Sequence, residues 1–175
     1  MQTAIINREL IEAIDSPLAL QFETIEKESY DTKFKKARVL GLITYSTDEI
    51  FVIKNNNKLI VCSFLNFEII DAVELFKYTE FTSIDLRGVD TSNVTNMNEM
   101  FFKCKATSLN ISNFDTSNVT YMSGMFNGCQ ATSLDLSSFD TSNVVEMIEM
   151  FWGCQATSIK LPQGYIIKDG ELQKE

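Results

Sequence analysis

The chain has 175 residues, 45% of them hydrophobic, with a formal net charge of −9 and no histidine. That much apolar material supports a packed core and excludes wholesale disorder, while the acidity argues against direct binding of nucleic acid through its phosphates. No apolar run approaches the roughly 18 residues of a membrane span, and the first residues lack a charged segment followed by a continuous apolar one, so no signal peptide is expected. The expected location is therefore a reducing cytoplasm, with the four cysteines as free thiols. An upstream export segment would place the protein at the cell surface instead.

Thr3 can cap a helix over residues 4–14, with Ile6, Leu10, Ile11 and Ile14 on one face and Pro17 ending it. Leu18, Leu20 and Phe22 alternate, which predicts a half-buried strand over 18–25. Residues 26–36 are highly charged and read as a loop, carrying a basic cluster of Lys33, Lys35, Lys36 and Arg38. Strands are expected over 39–45, 50–54 and 58–64, with a turn at Asn55-Asn56-Asn57, because asparagine tolerates left-handed angles. A helix over 67–78, capped by Asn66, follows.

From Phe81 onward one pattern recurs three times at an offset of 25. Ile84-Asp85-Leu86 leads through Asp90-Thr91-Ser92-Asn93-Val94 to Met97, Met100, Phe101 and Cys104. Leu109 to Cys129 and Leu134 to Cys154 repeat it, and a fourth copy starts at Thr157 and stops at Pro162. A fixed period of this size signals stacked repeats. The alternating Ile84 and Leu86 positions predict very short parallel strands. Val94, Met97, Met100, Phe101 and Cys104 lie at helical spacing, which predicts a two-turn helix laid against them. Gly128 and Gly153 stand where such a helix would end in a left-handed residue, with Lys103 as a departure. Subtracting 25 once more sets Leu59 under Ile84, Phe64 under Val89 and Leu75-Phe76 under Met100-Phe101, a degenerate repeat over 57–81. The expected organisation is an N-terminal α+β cap over 1–56 and repeats over 57–162. The full copies span 82–106, 107–131 and 132–156, with a partial one at 157–162, and a C-terminal cap or tail covers 163–175. There, Asp169-Gly170 between short apolar runs suggests a hairpin.

Asp-Thr-Ser-Asn before each Val offers oxygen ligands for a hard cation, but the same residues stacked coil upon coil also cap backbone groups, which is the expected use. The cysteine ladder Cys104, Cys129 and Cys154 has neither CxxC spacing nor histidine. Buried thiols filling the interior are expected rather than a metal site, though coils about 5 Å apart leave pairing geometrically open. No cofactor is expected.

The string from Leu134 to Val144, followed by Met147, Met150-Phe151 and Gly153-Cys154, resembles the BspA-like leucine-rich-repeat family of bacterial surface proteins. The resemblance covers about half of the chain. It implies an α/β fold: a short leucine-rich-repeat solenoid with a short-stranded parallel sheet and opposing short helices, preceded here by the small α+β cap. It also implies binding of host or partner proteins.

No catalytic constellation is present: histidine is absent, no glycine-rich phosphate loop precedes a helix, and the acidic residues show no motif pairing. A non-enzymatic protein–protein interaction module is therefore expected, its partner unidentified, with function entering where the repeats differ. The strand-side columns are small and polar. The opposite side varies: Phe102, Tyr121, Ile148 and Trp152 are large where equivalents are small or polar, and Glu99, Glu146 and Glu149 lie among them. Ile148 and Trp152, four apart, are candidates for a partner or homodimer contact; equally, the segment 165–167 could cover them. A second reading is a small acidic cytoplasmic inhibitor of a nucleic-acid-handling enzyme, for example a phage-encoded one. It would use Asp85, Glu99, Asp135, Glu146 and Glu149, with Glu9, Glu12, Glu23, Glu26 and Glu28 of the cap. A third is a fragment of a surface adhesin.

Overall fold

A computed structural model describes residues 3–39, 43–46, 50–63 and 65–174, with the side chains of 34–39, 43–46, 55 and 174 outside the description. The chain opens with strand β1 (Thr3–Ile6), in which Ala4 and Ile6 turn inward, and helix α1 (Arg8–Ile14) follows. The cap of that helix is Asn7, whose side chain accepts the Leu10 N–H at 2.9 Å, not Thr3. Both residues suit a cap, but the β-branched pair Ile5-Ile6 draws the first residues into a strand beside β6 (Asn66–Ile69).

Strand β2 (Ala19–Thr24) lies where alternation placed it, but the expected loop after it is helix α2 (Lys27–Val39). Its polarity concealed it. Lys27 pairs with Asp31 one turn on, and Tyr30 is buried edge-to-face on Phe51, with ring centroids 4.9 Å apart. Of the expected basic cluster, Lys33 pairs with Glu23 at 2.7 Å; the other three side chains lie outside the described residues. Strands β3 (Ile43–Ser46), β4 (Ile50–Asn55) and β5 (Lys58–Ser63) form an antiparallel meander. Parts of the expected strands, residues 40–42 and Phe64, lie outside the described residues, as does the connection 47–49.

The repeats contribute β7 (Ser83–Asp85), β8 (Ser108–Asn110), β9 (Ser133–Asp135) and β10 (Ser158–Lys160), all parallel to their neighbours. Ile84 stands opposite Leu109, and Leu134 opposite Ile159. The six-stranded sheet runs β3-β4-β5-β2-β7-β8. Here the degenerate repeat needs correction. Leu59 is not the neighbour of Ile84, because β2 sits between β5 and β7 and sets Leu20 against both. The coil beneath the first repeat takes its strand from residues 19–24 and its remainder from 67–81.

The expected solenoid with opposing short helices is overturned. The described residues hold two helices, α1 and α2, both near the N-terminus, and several small sheets. The expected helix at 67–78 is β6 followed by turns, and the segments 97–104, 122–129 and 147–154 are runs of tight turns. The backbone shows why. Glu74, Glu99, Gly124 and Glu149 have φ of 55–62°, and Tyr78, Lys103, Gly128 and Gly153 have φ of 50–67°. A left-handed residue every fourth position cannot belong to a right-handed helix. Donors therefore alternate in destination. Met100, Phe102 and Cys104 N–H bond three residues back, while Met97, Glu99, Phe101 and Lys103 N–H reach Tyr121, Ser123, Met125 and Asn127 of the next coil at 2.7–2.9 Å.

The helical spacing nonetheless reported burial correctly. Met97, Met100, Phe101 and Cys104 have no exposed surface, and neither do Met122, Met125, Phe126 and Cys129. Phe76, Phe101, Phe126 and Phe151 form a column of parallel rings with centroids 5.4–5.7 Å apart. One continuous core runs from Ala4 to Leu172. The C-terminal strands β11 (Tyr165–Lys168) and β12 (Glu171–Lys174) make the expected hairpin, turning at Asp169-Gly170.

Phe126 has a ring on each side, so Phe126→Ala opens a void the column cannot close; a loss of about 3–5 kcal/mol is expected in denaturant unfolding. Thr116 is buried, and its hydroxyl accepts the Asp140 N–H at 2.8 Å and donates to the Asp140 carbonyl at 2.9 Å. Thr116→Val strands both groups at nearly constant volume, and the same measurement is expected to show a loss of about 1–3 kcal/mol.

Candidate functional site

Stacking at a constant offset turns each sequence position into a column. Columns that agree from coil to coil serve the stacking itself. Asp90, Asp115 and Asp140 each accept the N–H two residues on, at 2.9–3.0 Å. Hydrogen bonds from Ser117 and Ser142 hold the Asp115 and Asp140 carboxyls below the usual carboxylate range. Thr91 bonds the backbone of Asp115 as Thr116 bonds that of Asp140. Asn118 and Asn143 donate to the carbonyls of Ser92 and Ser117 in the coil before. The oxygens that suggested a cation loop are thus engaged in turns and coil-to-coil bonds. Among the described residues no trio of metal-ligating side chains converges.

The cysteines are interior thiols. Cys104 and Cys129 are buried in the ladder, and Cys154 is half-buried at its end. Burial pushes the Cys129 thiol up to about 12. Cys62 lies apart, in a second small core with Tyr30, Phe51 and Ile53, and burial raises it to about 11.

The disagreeing columns face outward on the turn side. Around Gly124 they form a shallow groove of about 320 Å³. It brings together five of the residues singled out from the sequence: Glu99, Phe102, Glu146, Ile148 and Glu149. The glycine stands between Glu99 and Glu149 in its column, and a side chain there would press on Glu99. Ser123 donates to Glu146 at 2.7 Å and Asn127 to Glu149 at 3.2 Å. Glu99 pairs with Lys77. Phe102 is half-buried, edge-to-face with Tyr78 and beneath the ammonium groups of Lys77 and Lys103, each 5.2 Å from its centroid. Its face is therefore engaged within the chain.

Tyr121 is 40% exposed and bridged in register to Asn96 and Glu146. Ile148 and Trp152 are 57% and 62% exposed. They do not share a helix face, since left-handed Glu149 lies between them in a turn. Nor does the C-terminal hairpin cover them. Its turn packs on the backbone of Phe151-Trp152, and Tyr165 reaches Thr141, leaving the Ile148 and Trp152 side chains open. Sequence reasoning missed Val145, 74% exposed in the column of Thr95 and Thr120, although the offset comparison contained it. It also missed the exposed Tyr78, which stands in the column of Lys103 and Gly128.

The two ends of the coil column differ. At the first, Arg8 donates to the carbonyls of Leu75 and Lys77 at 3.2 and 3.0 Å, the positions that in later coils accept from the coil before. The Asp15 carboxylate accepts the Glu80 N–H at 2.9 Å, and burial raises its pKa. At the last coil, the Tyr165 hydroxyl meets Thr141 at 2.5 Å, and the Gly170 carbonyl accepts the Phe151 N–H at 2.9 Å. Among the described residues, no backbone acceptor meets the N–H of Met147, Glu149 or Gly153, whose equivalents in the two preceding coils are all bonded across.

A family model described as "Mycoplasma protein of unknown function, DUF285" matches residues 70–163, more than half of the chain. No curated protein and no solved structure matches it.

Burial sets the order of thiol reactivity. Under native conditions at pH 8, an alkylating reagent is expected to label Cys154 first, and Cys62, Cys104 and Cys129 only on unfolding, as read by peptide mass mapping.

Proposed function

This chain belongs to the DUF285 family, and from that premise we propose that it is a non-catalytic protein-interaction module whose contact surface is the turn side of its last coil. The observation that carries this reading is a concentration of exposed apolar side chains there. Val145, Ile148 and Trp152 are 57–74% exposed, in columns where the preceding coil holds Thr120, Ser123 and Asn127. Scattered exposed hydrophobes are ordinary, but three in the last coil, each replacing a polar residue of the coil before, mark a surface that meets another molecule; Ile70 and Val73 at the first end of the same columns are less exposed, at 54% and 39%. Trp152 is the chain's only tryptophan, a residue type enriched at the centre of protein interfaces. The likeness of the repeat to BspA-like surface proteins, which bind partner proteins, supports the same reading.

Affinity capture from source cells, with bound proteins identified by mass spectrometry, tests it. Ile148→Asp and Trp152→Ala are surface changes expected to alter stability by no more than about 0.5 kcal/mol. Each is expected to lose the partner retained by the wild type. An unchanged set of bound proteins, with both variants folded, would sink the proposal.

A further inference from the structure

The last coil ends in an unfinished hydrogen-bonded edge. In the two preceding coils the stretch equivalent to Val145–Glu149 is bonded to its successor in one way. The Thr95 and Thr120 carbonyls accept the N–H of Thr120 and Val145, and the N–H groups of Met97 and Met122 go to the Tyr121 and Glu146 carbonyls. The N–H groups of Glu99 and Gly124 go to the Ser123 and Ile148 carbonyls. In the last coil the Val145 carbonyl and the N–H groups of Met147 and Glu149 meet no backbone partner among the described residues. The hairpin touches the coil on either side of this gap, at Thr141 and Phe151, and leaves it open. The first end of the column, by contrast, has carbonyls covered by Arg8.

Resting on the interaction reading above, we infer that the Val145–Glu149 edge takes up an extended, basic segment of a partner protein, added in parallel as one more coil edge. The geometry states what the segment must supply. Its first residue donates its N–H to the Val145 carbonyl, and its second and fourth carbonyls accept from Met147 and Glu149, as Val145, Glu146 and Ile148 do for Thr120, Met122 and Gly124 of the coil before. Parallel neighbours in register stack side chain over side chain. The second residue therefore lies over Glu146, as Tyr121 lies over Asn96, and the fourth over Ile148. Glu146 and Glu149 are exposed and meet no cation among the described residues, so a lysine or arginine belongs at the second place and an apolar side chain at the fourth. Main-chain bonds supply affinity, and these two side chains supply choice.

The test is a titration of the full chain with a capped pentapeptide carrying Lys second and Leu fourth in a threonine background, read by Trp152 fluorescence. Saturable binding is expected. Glu146→Lys is expected to weaken it about fivefold or more, with recovery for the peptide carrying Glu second. N-methylation of the first peptide residue, which leaves the protein untouched, is expected to weaken it as well. Absence of binding, or binding indifferent to both changes, overturns the inference. So does concentration-dependent self-association lost in Glu146→Lys, which would make a second copy the occupant. If no peptide binds while Trp152→Ala still loses a captured partner, the edge inference fails and the interaction reading stands; if capture is also unchanged, both fail.

Discussion

Everything in the repeats depends on where alternate backbone N–H groups go. Half of them close tight turns within a coil, and the other half reach a neighbouring coil 24–26 residues away. Neither half would hold by itself. Isolated turns of this length do not persist in water, and a coil without its neighbours would leave every second donor without a protein partner. The left-handed positions are a consequence of this alternation. Gly128 meets it without strain, while Lys103 and Glu99 accept φ of 50–55° because the bonds on either side hold them there.

The stacking also explains the chain's composition. A residue that suits one coil suits the next, so Phe, Met, Cys and Thr recur at fixed offsets and build columns. The rings pack face on face, and the buried Thr91 and Thr116 hydroxyls each serve both backbone groups of the aspartate one coil on. Such a column has two open ends, and unpaired edges invite association. The N-terminal segment closes one end with a strand, a guanidinium and a carboxylate. At the other, the hairpin supplies one phenol and one carbonyl, and the exposed Glu146 and Glu149 discourage two like edges from meeting, since like charges would face each other. Variation from coil to coil is therefore confined to the few columns that stacking leaves unconstrained.

Much of this is legible in residue spacing alone. The period of 25, the short strands, the inward-facing set and the closing hairpin all follow from it, since burial repeats wherever the backbone repeats. The groove around Gly124 was partly legible as well, because comparing residues at equal offsets isolates those that depart from their column. Val145 departs too, but replacing Thr with Val is a small change whose significance lies in its exposure.

What the sequence by itself determined is which side chains go inside and at what interval. Hydrophobic periodicity encodes that locally, and it is indifferent to whether a helix or a chain of turns delivers the side chains. Only the tertiary structure decided between them, because the bonds that make Met97–Cys104 a run of turns end on carbonyls one coil away. The same holds for β2, inserted between β5 and β7: its partners lie some 40 to 60 residues distant, and nothing in its own alternation names them. It holds for the open edge at Val145–Glu149 too, since a donor lacks a partner only relative to neighbours that the linear chain does not place.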